Sequence, residues 1–151
     1  MPLILASQMG NVDIVNLLID AGAKVNHVTI HSVSSLLVAS QAGHDQIVQI
    51  LIESGANVNI KTEYEQTPLL VASYLGNYEC VKLLMPKYTL DDIKLAIQCA
   101  QPNQRALRWN YLDNQINEEG RAMCLNLLHQ KYFESNLNQN IYKSSGTKFR
   151  F

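Results

Sequence analysis

Along the first part of the chain, the same arrangement of apolar and polar residues recurs every 33 positions. The same point in each copy is marked by a glycine, at Gly10, Gly43 and Gly76. A short apolar segment precedes each glycine, and an apolar stripe with helical spacing follows it. In the first two copies the stripe consists of Ile14, Val15, Leu17 and Leu18, and of Ile47, Val48, Ile50 and Leu51. The pattern therefore predicts an array of repeats.

Each copy is predicted to form two short helices followed by a hairpin. Pro2 and Pro68 open the first helix of their copies, where the fixed φ of proline suits the first helical turn. The marker glycine closes that helix, because glycine readily adopts the left-handed conformation. Gly22 and Gly55 end the second helix, and an extended Ala-x-Val-Asn segment leads from each toward the next copy.

These copies resemble the ankyrin repeat, which has a period of about 33 residues and the signature Thr-Pro-Leu-His-x-Ala. Residues 67–72, Thr-Pro-Leu-Leu-Val-Ala, match that signature except at Leu70, which replaces the histidine. Ile4 and Leu37 make the same departure. We therefore expect apolar packing between neighbouring first helices where the family has a polar contact between hairpin turns.

The resemblance implies an all-α ankyrin-repeat solenoid, built from stacked helix-turn-helix units with short hairpin loops. It is strong over residues 2–85, weak over 86–133 and absent beyond. The predicted parts are ankyrin repeats in 1–88, with units at 2–26, 27–59 and 60–88, then a divergent capping helical repeat in 89–133 with an insertion at 104–117, and a flexible tail in 134–151. Thr89, followed by Asp91 and Asp92, gives the start signal of the divergent helix pair.

The first copy begins without the hairpin residues that precede the proline in an ankyrin repeat, since only Met1 precedes Pro2. Its first helix would leave Ile4, Leu5 and Met9 poorly covered, whereas terminal repeats normally carry a polar outer face. Two interpretations stay open. The chain is a piece of a longer protein whose upstream sequence continues the repeat, or translation starts naturally at Met1.

The insertion at 104–117 contains a tryptophan, a tyrosine and two arginines, at Trp109, Tyr111, Arg105 and Arg108. Insertions in repeat proteins map to loops, often on a binding face, and Trp and Arg are enriched in binding hot spots. The favoured interpretation is that Trp109 and Leu112 fold back over the last helix, because a lone tryptophan is usually buried. Contact between Trp109 and a partner is the alternative.

The tail over 134–151 is rich in Asn and Ser, and we expect it to be disordered. Its aromatic residues Tyr142, Phe149 and Phe151 leave a docking or export signal as the alternative.

In proteins that resemble this one, partners bind the concave face through the hairpin tips and the two positions before the marker glycine. Position by position, the resemblance implies partner contacts at Gln8, Met9, Gln41, Ala42, Tyr74 and Leu75, and at the hairpin residues Ile30, His31, Val33, Glu63, Tyr64 and Gln66. Tyr64 and Tyr74 are the strongest anchor candidates, because tyrosine is large, amphipathic and loses little entropy when fixed. For Ile30 and Val33, packing between adjacent hairpins is an equally good interpretation.

The net charge of −1 gives no field for nucleic acid, and the apolar runs are too short to cross a membrane. Neither a secretory signal nor a Cys-x-x-Cys pair is visible, and the odd number of cysteines, three, argues against a disulfide framework and a zinc site. Cys80 occupies the repeat position of Ile14 and Ile47, which indicates a small core residue. An intracellular, cytoplasmic protein with reduced thiols is predicted.

An enzyme is the competing class, and the sequence disfavours it. Catalysis needs convergent titratable groups, whereas the histidines are scattered, at His27, His31, His44 and His129. No phosphate-binding loop, metal-ligand cluster or nucleophile motif is present, so we expect no catalytic residue, metal or cofactor.

The sequence thus predicts a monomeric module that binds a protein partner, as an adaptor or scaffold. The ankyrin region of a bacterial effector acting in the host-cell cytosol is one setting that the composition allows. The alternatives are the substrate-recruiting part of a larger enzyme, and a spacer that assembles through its bare first helix.

Overall fold

The computed structural model of the protein describes residues 1–101 and 109–146. Within these ranges the chain is helical, with turns and hairpins between the helices. The α-helices are α1 (Pro2–Met9), α2 (Val12–Asp20), α3 (Ser35–Ala42), α4 (Asp45–Glu53), α5 (Pro68–Leu75), α6 (Tyr78–Leu84), α7 (Leu90–Ala100) and α8 (Glu118–Gly146). Two 3₁₀ helices, Met85–Lys87 and Asn110–Gln115, complete the regular structure of these ranges.

The helix ends follow the sequence signals. Gly10, Gly43 and Gly76 close α1, α3 and α5 with positive φ angles of 76°, 76° and 81°. Ser34 and Thr67 cap the starts of α3 and α5, because their side chains accept a hydrogen bond from the backbone N–H three residues later. The predicted two-helix unit is therefore present in all three copies.

The helices stack in two rows. The first helices α1, α3 and α5 pack side by side with α7, and the second helices α2, α4 and α6 form the other row, which α8 continues. Ile4, Leu37 and Leu70, which replace the family's histidine, are all buried. The core is accordingly a strip shared between neighbouring units, as in other solenoids.

The residue after the second and third marker glycines ties its unit to the preceding one. The His44 ring nitrogen Nε2 lies 3.1 Å from the Gln8 carbonyl oxygen. Asn77 Nδ2 donates to the carbonyls of Ser40 at 2.8 Å and Gln41 at 3.0 Å. These side chains satisfy carbonyl groups at the end of the neighbouring first helix, which would otherwise lack a partner.

The two ends of the stack are covered to different degrees. On the α1 side, Leu5 is 58% exposed, whereas its repeat equivalent Val38 is 9% exposed. Ile14 is likewise 45% exposed, and its equivalent Ile47 is fully buried. Of the residues expected to be uncovered, Leu5 and Met9 are exposed, while Ile4 is buried. The apolar strip of the stack therefore continues to its α1 edge.

At the other end, α7 and α8 cover the third repeat. The Thr89 hydroxyl accepts from the Asp92 backbone N–H and the Asp92 carboxylate accepts from the Thr89 N–H, so α7 begins with a capping box. Ile93 and Ala96 of α7 are buried against the stack. The fourth unit is thus a helix pair whose second helix is much longer than that of a repeat.

The prediction of a flexible tail over 134–151 differs from the structure, in which α8 continues to Gly146. Adding turns to a formed helix is far easier than nucleating one, so the packed first half of α8 supports the later turns. Gln130 Nε2 also donates to the Glu134 carboxylate at 3.0 Å, where the two halves meet. Phe149 and Phe151 of the proposed docking signal lie outside the described residues, as do Arg105 and Arg108 of the insertion.

None of the helices in the described parts of the chain is both long and apolar enough to cross a membrane.

Candidate protein-binding surface

Two hairpins project from the stack, and a threonine shapes each tip. Thr29 Oγ1 accepts from the backbone N–H groups of His31 and Val33. One period later, Thr62 Oγ1 accepts from those of Tyr64 and Gln66. The shared turn fixes which residues stand at each tip.

The tip residues are exposed and close to one another. Ile30 is 94% exposed, and Tyr64 is 44% exposed. His31 Nδ1 lies 3.1 Å from the Glu63 carboxylate, which links the two tips. Val33 is half-buried against the core, whereas Ile30 is not covered by the neighbouring hairpin.

The two positions before the marker glycine are uncovered in the first two repeats. We call this surface, formed by Gln8, Met9, Gln41 and Ala42, the open inner face. Gln8 and Met9 are exposed, and Gln41 is half-buried. A groove of about 240 Å³ runs across it, lined by Gln8, Val38, Gln41, Ala42 and Gln115.

The equivalent face of the third repeat is covered, which corrects four of the predicted contact residues. Gln66, Tyr74, Leu75 and Trp109 are buried, with at most 5% of each exposed. The described part of the insertion, residues 109–117, lies over α5, so that Leu112 is buried as well. We call residues 109–117 the cover segment. Trp109 is buried, as the fold-back interpretation expects. Its ring packs on Tyr74 of α5, whereas that interpretation placed it over the last helix.

Aromatic and polar contacts hold the cover segment in place. The Trp109 indole donates to the Tyr64 carbonyl oxygen at 3.0 Å, and its ring meets that of Tyr74 edge-on, with centroids 5.4 Å apart. The Tyr74 hydroxyl donates to the Asp113 carboxylate. Gln66 Nε2 donates to the Tyr111 hydroxyl at 2.8 Å. Each buried polar side chain in this set is therefore paired, as stability requires.

The start of α8 fixes the far end of the cover segment. The Asn117 backbone N–H donates to the Leu75 carbonyl oxygen at 2.8 Å. The α8 backbone at Gly120 lies directly against Gly76, since a Cβ built on Gly120 would stand 1.9 Å from the Gly76 carbonyl oxygen. The absence of a side chain at both glycines permits this approach.

A buried arginine joins the cover to the last helix pair. Arg121 is 2% exposed, and its guanidinium lies 5.3 Å from the centre of the Tyr74 ring. The same guanidinium donates to the carbonyls of Cys99, Ala100 and Gln101. Those carbonyls form the negative end of the α7 dipole, so the cation is compensated without a buried carboxylate.

Tyr111 and Gln115 are surface residues that sequence reasoning did not select as contacts. Tyr111 is 53% exposed, and its ring lies 6.4 Å from that of Tyr64 at a tilted angle. Gln115 forms one wall of the groove on the open inner face. The repeat period could not identify them, because the insertion lies outside the period and nothing in its composition states the direction in which it folds.

The cysteines behave as core residues. Burial raises the pKa of Cys80 and of Cys124 to about 12 and that of Cys99 to about 11. Thiols with raised pKa values are poor nucleophiles at neutral pH. In the described parts of the chain, His, Cys, Asp and Glu side chains form no group of three that could hold a metal ion.

Comparison with known proteins agrees with this architecture. A family model for ankyrin repeats in three copies matches residues 3–96. No curated protein matches the sequence.

Proposed function

The chain belongs to the ankyrin repeat family, and on that premise we propose that it binds a protein partner through one continuous surface. Ankyrin repeats are generally protein-protein interaction modules and typically carry no catalysis. The proposed surface combines the open inner face, the two hairpin tips and the exposed side of the cover segment. It keeps Gln8, Met9, Ile30, His31, Val33, Gln41, Glu63 and Tyr64 from the sequence prediction, and it adds Tyr111 and Gln115.

The observation that carries this proposal is the exposed aromatic pair Tyr64 and Tyr111 beside the tip residue Ile30. Tyrosine supplies a rigid, amphipathic contact at low entropic cost, and it is enriched at interfaces. The Trp109 indole donates to the Tyr64 backbone carbonyl and Gln66 Nε2 donates to the Tyr111 hydroxyl, so the backbone of Tyr64 and the ring of Tyr111 are both anchored. Because the pair is positioned before binding, a partner loses little free energy in ordering it.

The charges near the pair favour a protein over a polyanion. The tips carry one histidine and one carboxylate in contact, His31 and Glu63, rather than a basic cluster. Nucleic acid would require several lysine or arginine side chains on this face. A mixed surface with aromatic anchors is typical of interfaces between proteins.

The buried residues Gln66, Tyr74, Leu75 and Trp109 take a different role in this proposal. They hold the cover segment on α5 and thereby set the position of Tyr111. Their substitution would alter binding through the fold, so they are poor probes of the interface.

Affinity capture with a matched pair of variants tests the proposal. The immobilised chain is compared with a variant carrying Ile30→Ser, Tyr64→Ala and Tyr111→Ala, and with a control carrying Asn16→Ala, Gln46→Ala and Gln49→Ala on the second helices. We expect proteins that the wild type and the control retain and the surface variant loses. Titration calorimetry with the purified binder then gives the affinity change. Equal retention by all three would contradict the proposal.

We also propose an intracellular setting for this activity. Cys80, Cys99 and Cys124 are unpaired thiols, and free buried thiols are typical of reducing compartments. Localisation of a tagged chain in the source cells tests this part separately from binding. A tag recovered only outside the cell would contradict it.

A further inference from the structure

The α1 edge of the stack exposes apolar residues at positions that later copies bury. Leu5 and Ile14 are 58% and 45% exposed, whereas their equivalents in the third copy, Val71 and Cys80, are buried. Leu17, one helical turn after Ile14, is 67% exposed. We call Leu5, Ile14 and Leu17 the apolar edge. These three residues lie on the two helices of the first unit, α1 and α2.

The interfaces inside the stack use the same positions. The second unit packs on the first through α3 with α1 and α4 with α2, and the third unit packs on the second in the same way. Val38 and Ile47, which correspond to Leu5 and Ile14, are buried in the second unit. The apolar edge therefore continues an interface that this chain already makes twice between its own helix pairs.

A groove and a projecting side chain lie next to each other on this edge. The groove, of about 250 Å³, lies between α1 and α2 and is lined by six apolar residues and Asn11. Leu17 is outside that lining, although its neighbour Leu18 belongs to it. A two-fold axis brings the same patch of two copies together, so the patch must complement itself. The apolar edge offers both the groove and the side chain that can fill it.

The charges at the two ends of the stack favour contact between two like edges. Among the described residues, those lining this groove and a second one of about 430 Å³ beside Met1 and Leu5 have no ionisable side chain. The opposite end of the stack exposes Asp91 and Lys94 of α7. A head-to-tail contact would bury those charged side chains against an apolar surface, which is unfavourable. Two uncharged edges meet without that cost, and the centre of an interface is typically depleted of charge.

We propose that two copies of the chain associate through their apolar edges about a two-fold axis, with Leu17 of each protomer in the groove of the other. This dimer differs from the monomer predicted from the sequence, and it agrees with the alternative of assembly through the first helix. The groove borders the open inner face at Met9. The three residues of the apolar edge belong to none of the proposed partner contacts, so the inference does not rest on the proposed function.

The size of the edge sets the strength of the dimer. The helices α1 and α2 have eight and nine residues. Each is therefore about 12–14 Å long, and neighbouring helices lie about 8–10 Å apart. Such a face is smaller than the standard interface of about 800 Å² per partner. The dimer is accordingly reversible and dissociates on dilution.

Sedimentation velocity of the full chain, from about 1 μM to about 300 μM, measures the association. We expect the weight-average mass to rise with concentration toward twice that of the monomer. A Leu5→Gln, Leu17→Gln variant should raise the dissociation constant about tenfold or more. The matched control, Leu95→Gln with Met123→Gln, replaces exposed apolar side chains of α7 and α8 and should leave the dissociation constant unchanged. Circular dichroism confirms that both variants are folded.

An exchange of charges identifies the surface and its symmetry. One variant carries Leu5→Lys and Leu17→Lys, and the other carries Leu5→Glu and Leu17→Glu. Each alone should stay monomeric at the highest concentration, because like charges then face each other across the axis. An equal mixture should sediment as a heterodimer, because opposite charges meet.

Four results would overturn the inference. They are a wild-type chain that stays monomeric over the whole range, a dimer insensitive to the glutamine substitutions, a charge mixture that fails to associate, and a mass that keeps rising beyond the dimer. The last result would indicate head-to-tail assembly. None of the four bears on the proposed function, whose capture experiment uses residues outside the apolar edge.

Discussion

The inner face of the stack is open over the first two repeats and closed over the third. The two positions before the marker glycine are Gln8 and Met9 in the first copy, and they face solvent. The same positions in the third copy are Tyr74 and Leu75, and they are fully buried under the cover segment. The same face of the framework is thus exposed to solvent in one region and packed against the chain's own cover segment in the other.

This difference shows that the residue type at a variable position of a repeat indicates whether that position is covered or exposed. Framework positions build the same helix pair whatever occupies the inner face. A large apolar pair such as Tyr74 and Leu75 marks a place that something covers, and here the cover comes from the same chain. Amide side chains such as Gln8 and Gln41 tolerate solvent and remain available to another molecule.

Removing the tryptophan of the cover should produce the largest change. Trp109→Ala deletes a buried ring that packs edge-on against Tyr74 and donates to the Tyr64 carbonyl. We expect a loss of about 3–5 kcal/mol in the free energy of unfolding, as for other buried tryptophans. Urea denaturation followed by circular dichroism measures it. The exposed Tyr64→Ala should cost less than about 1 kcal/mol, and equal losses would show that the cover is not packed as described.

A pair of glycine substitutions compares the covered end with an uncovered turn. A Cβ at Gly76 would lie 2.2 Å from the Asn117 carbonyl oxygen and 2.6 Å from the Arg121 nitrogen, whereas one at Gly22 would meet nothing within 4 Å. Both residues have positive φ, so both alanine variants lose about 1–2 kcal/mol from backbone strain. We expect Gly76→Ala to lose about 2 kcal/mol more, because backbone atoms must move. Thermal unfolding of the two variants tests this, and equal losses would contradict the close approach of α8.

Alkaline pH should weaken the covered half. In the folded protein burial raises the pKa of Cys80 and Cys124 to about 12, whereas an unfolded thiol titrates near 9. Above that value the unfolded chain releases protons that the folded chain retains, so stability is fully present below about pH 9 and falls as pH rises toward 12. The loss should be on the order of 2 kcal/mol between about pH 8 and pH 9.5.

Urea denaturation at several pH values measures this dependence. A Cys80→Ala, Cys99→Ala, Cys124→Ala variant should show a shallower decline over the same range, since burial raises the pKa of Cys99 as well. The remaining decline above about pH 10 is expected from Tyr88, whose pKa burial raises to about 12. An unchanged slope in the triple variant would show that the thiols are not protonated core groups.

The smallest expected effect is that of a single hydroxyl. Tyr74→Phe removes the donor to the Asp113 carboxylate and retains the ring against Trp109. We expect a loss of about 1 kcal/mol in unfolding free energy. A double-mutant cycle with Asp113→Ala isolates the interaction, and strict additivity of the two losses would exclude coupling between the two side chains.

Much of the fold could be predicted from the sequence, and the reasons are local. Gly10, Gly43 and Gly76 close helices by their own conformational freedom, and the apolar stripes between them have helical spacing. Thr89, followed by Asp91 and Asp92, likewise indicates the start of α7 from neighbouring residues alone. Signals of this kind depend on a few neighbouring residues, and therefore they can be recognised in a single sequence.

The path of the cover segment, and with it the surface residues Tyr111 and Gln115, could not be predicted. The cover segment is positioned by contacts 39 to 45 residues apart in the chain, such as Trp109 with Tyr64 and Asp113 with Tyr74. A pattern of neighbouring residues carries no information about contacts between such distant positions. The repeat pattern alone therefore predicts Tyr74 to be an exposed anchor. The length of α8 also escaped prediction, because the polar composition after Glu134 is typical of a tail even when helix propagation extends into it.

The central claim is that a partner enters the open inner face while the cover segment stays in place. Two-dimensional NMR of side-chain NH groups, recorded with and without the purified binder from the affinity capture, tests both parts at once, since the chain has one tryptophan and therefore one indole signal. The account predicts shifts for the amide signals of Gln8, Gln41 and Gln115 and an unchanged Trp109 indole signal. Movement of the indole signal to the position of a solvent-exposed tryptophan, with the glutamine signals unaffected, would contradict it.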